Sequence, residues 1–501
     1  MFITLLLAFS FVLQACAPAE PVEVIKTVEV EVVKTVEIEK EVEVEKEVPV
    51  EVEVEVMVTP TPMSVPEGTK KVIQWMTTER DPQSVEIFQQ IVDEYQELNP
   101  DVLIDIILIA SATQHERLTT ARAVGADMSV IGLLPEFLTA YVDADFLVPL
   151  DDVVDELGRD NFKQGSILSL DGHDYAIGYA GDTHGTLWVR RDLFEEAGLE
   201  YPTTYEELLA AAEALTKDTD GDGEIDIYGI GLPTSADSST GIRYITSLYQ
   251  NCADFYDKQG NVIFDNPNAL KSLERYVELA QYSPPDSPAW SWFDGITAYT
   301  AGRIAMHPYA GRLGYNLWRD KPELREVTDV IWWPMGDEKA ARGGYDFISL
   351  YSGTKWPEEA KDFLKFYLSG DRLARFDATV PGHLIPPTKE LEDAILAMDD
   401  EYIKLYSEDI KTLFDAAQFN SQPELYMGAI DPETCEFDPE YNPMPWAGSL
   451  LGPWIPAQMI EKVVVGGESA EDALAWAVGE MERVAEEWKA ENPDWEPPIS
   501  E

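Results

Sequence analysis

From about residue 70 onward, apolar and polar positions recur with the periods of regular secondary structure. Val72-Ile73-Gln74-Trp75-Met76 reads as a buried strand, and residues 85–98 read as an amphipathic helix stopped by Asn99-Pro100. A second strand is predicted over 102–110, a helix over 118–124 and a third strand over 128–134. Strands alternating with helices of this length predict parallel α/β layers. Further helices are expected over 201–215, 269–281, 357–368 and 470–490, the last two with strong 3.6-residue periodicity. Thr203, with Glu206 three residues on, has the spacing of a capping box.

Residues 21–64 break this texture. Valine and glutamate alternate there with period two, 12 Glu standing against 4 Lys between residues 21 and 56, and Pro49, Pro60 and Pro62 punctuate the run. One face is a row of carboxylates, so the segment has no core of its own. Extended, its roughly 40 residues reach on the order of 130 Å, which suits a stalk. Ahead of it, residues 2–13 are apolar over the length of a signal-peptide core and too short to span a bilayer. Leu13-Gln14-Ala15-Cys16 resembles a lipobox, which implies cleavage after residue 15 and a lipid on Cys16. Cys252 and Cys435 then remain as an even pair in an oxidising compartment, either bridged or buried as two free thiols.

Over 501 residues, 94 Asp and Glu oppose 36 Lys and Arg, a formal charge of −58. That balance excludes the basic footprint that phosphate backbones require, so no nucleic acid partner is expected. Catalytic signatures are missing as well. The five histidines fall in no HExxH, and the chain has no GxSxG elbow, no GxxxxGK[ST] loop and no complete GxGxxG. The sharpest local motif runs from Asp218 to Asp226. Carboxylates at Asp218, Asp220 and Asp222, a glycine at 223, the Glu224 carbonyl and Asp226 occupy the offsets of a calcium loop, although Gly229 stands where an EF-hand places its bidentate glutamate. A structural calcium ion is the expectation, against a plain solvated Asp/Gly turn.

A longer pattern is more informative. Residues 175–199, YAIGYAGDTHGTLWVRRDLFEEAGL, followed by Tyr201-Pro202-Thr203-Thr204-Tyr205-Glu206-Glu207-Leu208, resemble the central signature of the family 1 extracellular solute-binding proteins, the ligand receptors of ABC sugar importers. Asp127-Met128, the run 298–306, Gly343-Gly344, Pro357-Glu358-Glu359-Ala360 and Pro381-Gly382-His383-Leu384-Ile385-Pro386 fit in order and spacing, so the resemblance covers most of residues 70–490. It implies a two-lobed, type II periplasmic-binding-protein α/β fold: a signal peptide (1–15), a lipid-anchored stalk (16–68), one lobe from 69–178 plus 338–380 and the other from 182–334 plus 384–501. Crossing points are expected at 178–181, 334–336 and 381–382.

The function implied is capture of a carbohydrate, an oligosaccharide in particular, between the lobes of a monomer anchored outside the cell and docking on ABC permease subunits. Two alternatives stand beside it: a secreted, lipid-anchored glycan hydrolase, and a flytrap sensor of a cationic or other small ligand. Sugar faces stack on aromatic rings while hydroxyls seek planar charged partners. On those grounds the ligand-binding candidates are Trp75, Glu79 and Arg80 at the carboxyl end of the first strand. Asp182, Trp290, Trp292, Tyr309, Arg312, Tyr345 and His383 are added by position in the family pattern.

Overall fold

The computed structural model describes residues 71–497 apart from 111–112, 136–137, 171 and 439–443. The expected signal peptide, Cys16 and the stalk lie outside the described residues, as do the first residues assigned to the lobe beginning at 69. No helix among the described residues is long and apolar enough to cross a membrane.

Ten strands are described: β1 (Lys71–Thr77), β2 (Val102–Leu108), β3 (Val130–Leu133), β4 (Ile167–Leu170), β5 (His173–Thr183), β6 (Thr186–Arg190), β7 (Met306–Pro308), β8 (Thr328–Trp332), β9 (Ala341–Leu350) and β10 (Asn420–Ser421). They make a large sheet ordered β2-β1-β3-β9-β5-β4, with β10 beside β9, and a small sheet ordered β7-β6-β8. The expected parallel pairing holds for β1 with β2 and β3 and for the two-residue β10 with β9. Neighbouring strands from β3 through β9 and β5 to β4 run antiparallel, and so do both pairs of the small sheet. β5 follows β4 directly in the same sheet and runs back along it, and β9 enters after β8 of the small sheet, so no helical crossover joins these neighbours.

Local sequence explains the elements around β1. Helix Pro82–Leu98 starts one turn earlier than expected because the Asp81 side chain accepts from the Gln83 N–H and Pro82 fits the first turn. Its buried Phe88, Ile91, Val92 and Tyr95 follow helical spacing and cover the large sheet; each such side chain contributes about 1.5–3 kcal/mol on burial. Helix Tyr205–Leu215 starts later than expected: Thr204, not Thr203, is the cap and accepts from the Glu207 N–H, while the Glu207 carboxylate reaches back to Thr203.

Each sheet has its own core. Leu187, Phe194, Leu208, Tyr244, Trp333, Trp446 and Met481 belong to the core of the small-sheet half, whereas Ile73, Phe88, Ile177, Ile348 and Phe363 belong to that of the large-sheet half. Residues 384–416 were expected with the small sheet, but Leu384, Ile385, Leu391, Ile395, Tyr402, Ile403 and Ile410 pack with Ile73 and Phe88 in the large-sheet core. Bridges from Ile385 to Gly181 and from Thr388 to Phe162 hold them there. Pro381-Gly382 is therefore a turn, with Gly382 at φ 80°, and not a crossing. The third passage comes later: Leu425 and Tyr426 still pack against large-sheet residues, whereas Met427 and Ile430 enter the small-sheet core. Cys252 and Cys435 are joined as a disulfide, tying this returning segment to the end of helix Ser238–Gln250.

Candidate functional site

The two long strands β5 and β9 set the floor of a cavity. Their register pairs Asp182 with Gly344 and Ala180 with Asp346, so by strand alternation these four residues share one face. That face, with Glu79, Arg342, Tyr345, His383 and Gln422, lines a cavity of about 140 Å³. Close approach depends on missing side chains. A Cβ on Gly178 or Gly181 would strike the Tyr345 ring at 2.7–2.8 Å, and one on Gly311 would meet the Gly382 carbonyl carbon at 2.3 Å. At the latter point the helix Arg312–Asp320, which follows β7 of the small sheet, meets the large-sheet half, and the Tyr315 hydroxyl donates to Gln83.

Asp182 is the electrostatic centre. The Nε2 of buried His184 donates to Asp182 Oδ2 at 3.0 Å, the Arg342 guanidinium lies 3.8 Å from Oδ1, and Asn420 donates to the Asp182 carbonyl. Burial pushes the Asp182 carboxyl up, but the charges of His184, Arg342 and His383 and the His184 hydrogen bond outweigh it and hold the group well below the usual carboxylate range. Burial pushes His184 down, while the charge and hydrogen bond of Asp182 oppose the shift. His383 is likewise pushed well down, by burial first and then by the charge of Arg312. Arg342 is committed to Glu424 at 3.1 Å. Glu79 is raised by burial, with Arg312 opposing the shift. Arg312 therefore acts electrostatically on both Glu79 and His383, which belong to the facing half.

Beside Asp182 stands an aromatic group. Trp292, half-buried at the head of helix Trp292–Thr300, lies 5.5 Å from the His184 ring and meets Tyr309 edge-on at 6.2 Å. Its Nε1 donates to Ser238 Oγ at 2.9 Å, and the Arg243 guanidinium sits 5.2 Å from the centres of both the Trp292 and Tyr309 rings. This constellation offers hydrogen bonds and ring faces and contains no nucleophile with a positioned base.

The candidates named from sequence divide accordingly. Glu79, Asp182, Tyr345 and His383 line the cavity; Trp292, Tyr309 and Arg312 are not in its lining, Trp292 reaching Asp182 through His184, Tyr309 lying buried beside it and Arg312 acting through space on Glu79 and His383. Trp75 does not: it is 1% exposed, with its ring 4.7–5.3 Å from Phe88, Phe363 and Tyr367 in the large-sheet core. Trp290 is buried against Ile304 and Leu313, and Arg80 is exposed without lining the cavity. Sequence reasoning missed His184, Arg243, Arg342, Asp346 and Gln422. His184 lay inside the quoted signature, and Asp237 ahead of two serines was a readable helix start, since its side chain accepts from Ser239 N–H. Of the proposed metal ligands, Asp218, Asp220 and Asp222 bring carboxylate oxygens within 4.8 Å of one another. Glu224 and Asp226 do not join them; Asp226 instead accepts from the Thr219 N–H and hydroxyl and closes the loop.

Comparison with known proteins agrees with this architecture. A family model for the bacterial extracellular solute-binding proteins matches residues 81–371. YcjN of Escherichia coli K12, named as the periplasmic-binding component of an ABC transporter, is 20% identical over 428 residues, covering 84% of this chain and 94% of its own. The maltotriose-binding protein of Pyrococcus abyssi is 23% identical over 344 residues, 66% of this chain and 70% of its own. Among solved structures, the sugar-binding protein MalE of Xanthomonas citri superposes with a TM-score of 0.68 at 17% identity, over 85% of this chain and all of that one. Maltose-bound MalE3 of T. maritima does so with a TM-score of 0.63 at 19% identity, over 83% of this chain and all of that one. With more than half its length matched by the family model, the chain belongs to the bacterial extracellular solute-binding protein family and is a receptor, not an enzyme.

Proposed function

We propose that this chain is the substrate-binding component of an ABC importer and that it captures an oligosaccharide in the space between its two sheets. The observation that carries the reading is the meeting of Trp292 and Tyr309 with the ionised Asp182 and its partner His184. A sugar ring presents C–H faces to aromatic rings and hydroxyls to charged planar groups, and both are in reach of one another here. The relatives support the same class: by their names or titles one binds maltotriose, and others were solved with maltose and with acarbose. The cavity of about 140 Å³ is smaller than the roughly 300–1,000 Å³ typical of ligand sites. Entry of a sugar thus requires the halves to part, with β5, β9 and the segment 417–430 as the hinge.

The rest of the reading is architectural. A lipid on Cys16 and the Val/Glu stalk hold the receptor at the outer face of the membrane, and calcium on Asp218, Asp220 and Asp222 stiffens the loop after helix Tyr205–Leu215. A thermal-shift screen of the purified chain against mono- and oligosaccharides tests the ligand class. A raised midpoint with an oligosaccharide recovered unchanged by chromatography is expected. No shift with any sugar, alongside a shift with amino acids or polyamines, would overturn it.

A further inference from the structure

Arg243 is a buried charge with no direct ion pair among the described residues; the Asp237 carboxylate at the cap of its own helix acts on it only through space. Three other arginines among the described residues are buried below a tenth exposure, and each faces a carboxylate: Arg275 faces Glu206, Arg325 faces Asp409 and Arg342 faces Glu424. Arg243 is 1% exposed and forms no ion pair among the described residues, in a chain where acids outnumber bases by more than two to one. Its Nε donates to the Pro308 carbonyl at 2.8 Å and Nη1 to the Ser239 carbonyl at 2.6 Å. The guanidinium faces the rings of Trp292 and Tyr309, each at 5.2 Å. One group thereby touches the first turn of helix Ser238–Gln250, the end of β7 and both aromatic side chains beside the cavity.

We infer that Arg243 is a positioning residue that fixes Trp292 and Tyr309 in one geometry as a rigid stacking wall. A cation desolvated against two ring faces is held by them and orients them in turn, while the two carbonyls fix the plane of the fork, which lysine cannot reproduce. A carboxylate at this place would compete with the rings for the cation, so its absence is what leaves the guanidinium to the wall. The proposal rests on the carbohydrate reading of the site only for its functional consequence. The geometry of Trp292 can be read without any sugar.

The test uses the full chain labelled with 5-fluorotryptophan, the Trp292 resonance being assigned by its loss in Trp292→Phe. In Arg243→Met, which keeps length and removes charge, and in Arg243→Lys, which keeps charge and removes the fork, the Trp292 resonance is expected to shift and broaden. Arg243→Met takes a donor from the Pro308 and Ser239 carbonyls, so its melting midpoint should fall somewhat, while oligosaccharide affinity of the folded chain falls about tenfold. Should Arg243→Met fail to fold, Arg243→Lys alone decides. An unmoved Trp292 resonance in a folded variant overturns the proposal, and so does a moved resonance with unchanged affinity. If the wild-type chain binds no saccharide, the carbohydrate reading fails separately, and the resonance still decides whether Arg243 positions the wall.

Discussion

The two faces that meet at the cavity are built differently. The large-sheet face lines the cavity with Glu79, Asp182, Asp346, the backbone of β5 and β9 and one ring, Tyr345, which is packed against two glycines, while Trp75 lies in the core. On the small-sheet side the half-exposed Trp292 and the buried Tyr309 are held over a buried guanidinium, with Trp292 next to His184, the partner of Asp182. Two tryptophans thus have opposite roles, and what separates them is the neighbourhood. Trp75 is enclosed by three rings, whereas Trp292 is tied by one hydrogen bond to Ser238 and remains half-exposed. A ligand that fits between such faces carries polar edges and an apolar plane, as a sugar does.

The contrast is sharpest in stability. Trp75→Ala should cost about 3–5 kcal/mol, as expected for deleting a fully enclosed aromatic, measured by urea unfolding, with ligand affinity of the folded fraction intact. A loss below about 1 kcal/mol would mean that Trp75 is not core and that the two faces are less different than described. Next in size, Asp182→Asn keeps the shape and removes the charge from His184 and Arg342. Loss of charged hydrogen bonds to sugar hydroxyls, at about 1.5–3 kcal/mol each, should weaken binding by about tenfold or more in calorimetric titration. Unchanged affinity would confine recognition to the aromatic side.

Much of the large-sheet face was legible in the sequence, because alternation in β1 and helical spacing in Pro82–Leu98 report burial directly. The same alternation already put Trp75 on the face of Ile73, toward the core, and the strand-end argument that made it a ligand residue ignored that parity. The small-sheet side was less legible. Its strands have three to five residues, too short to show a period, and Arg243 sits in a serine- and threonine-rich helix that only the fold brings to the Trp292 and Tyr309 rings. The third crossing was misplaced because a Pro-Gly turn is a louder local signal than the two-residue β10, which has no apolar pattern at all.

Two smaller effects belong to the small-sheet half alone. Asp254 is fully buried, and burial, opposed by backbone N–H donors from Phe255 and the 428–430 segment, raises its carboxyl from 3.8 to about 7. The folded chain therefore retains a proton that the unfolded chain releases near pH 4. Its stabilising contribution is full below that pH and is lost as pH rises through 7. Asp254→Asn should flatten the stability profile between about pH 4 and 7 by on the order of 1 kcal/mol per pH unit; an unaltered profile would show that the group titrates normally. Smallest is the proposed calcium: an ion bound at about tenfold excess over its dissociation constant would add about 1.4 kcal/mol. Melting in millimolar calcium should exceed melting in chelator, and Asp220→Asn should abolish the difference. Identical midpoints would leave Asp218, Asp220 and Asp222 as a solvated turn.

Under the proposed function, the aromatic group beside Asp182 recognises the ligand. Isothermal titration of the best-binding oligosaccharide into wild type and Trp292→Ala addresses it most directly, with melting midpoints recorded in parallel. The account predicts one saturable site in the wild type, at least about tenfold weaker binding in the variant, and nearly equal midpoints. Equal affinities, or a collapsed midpoint with affinity preserved, would make Trp292 a packing residue and place recognition elsewhere.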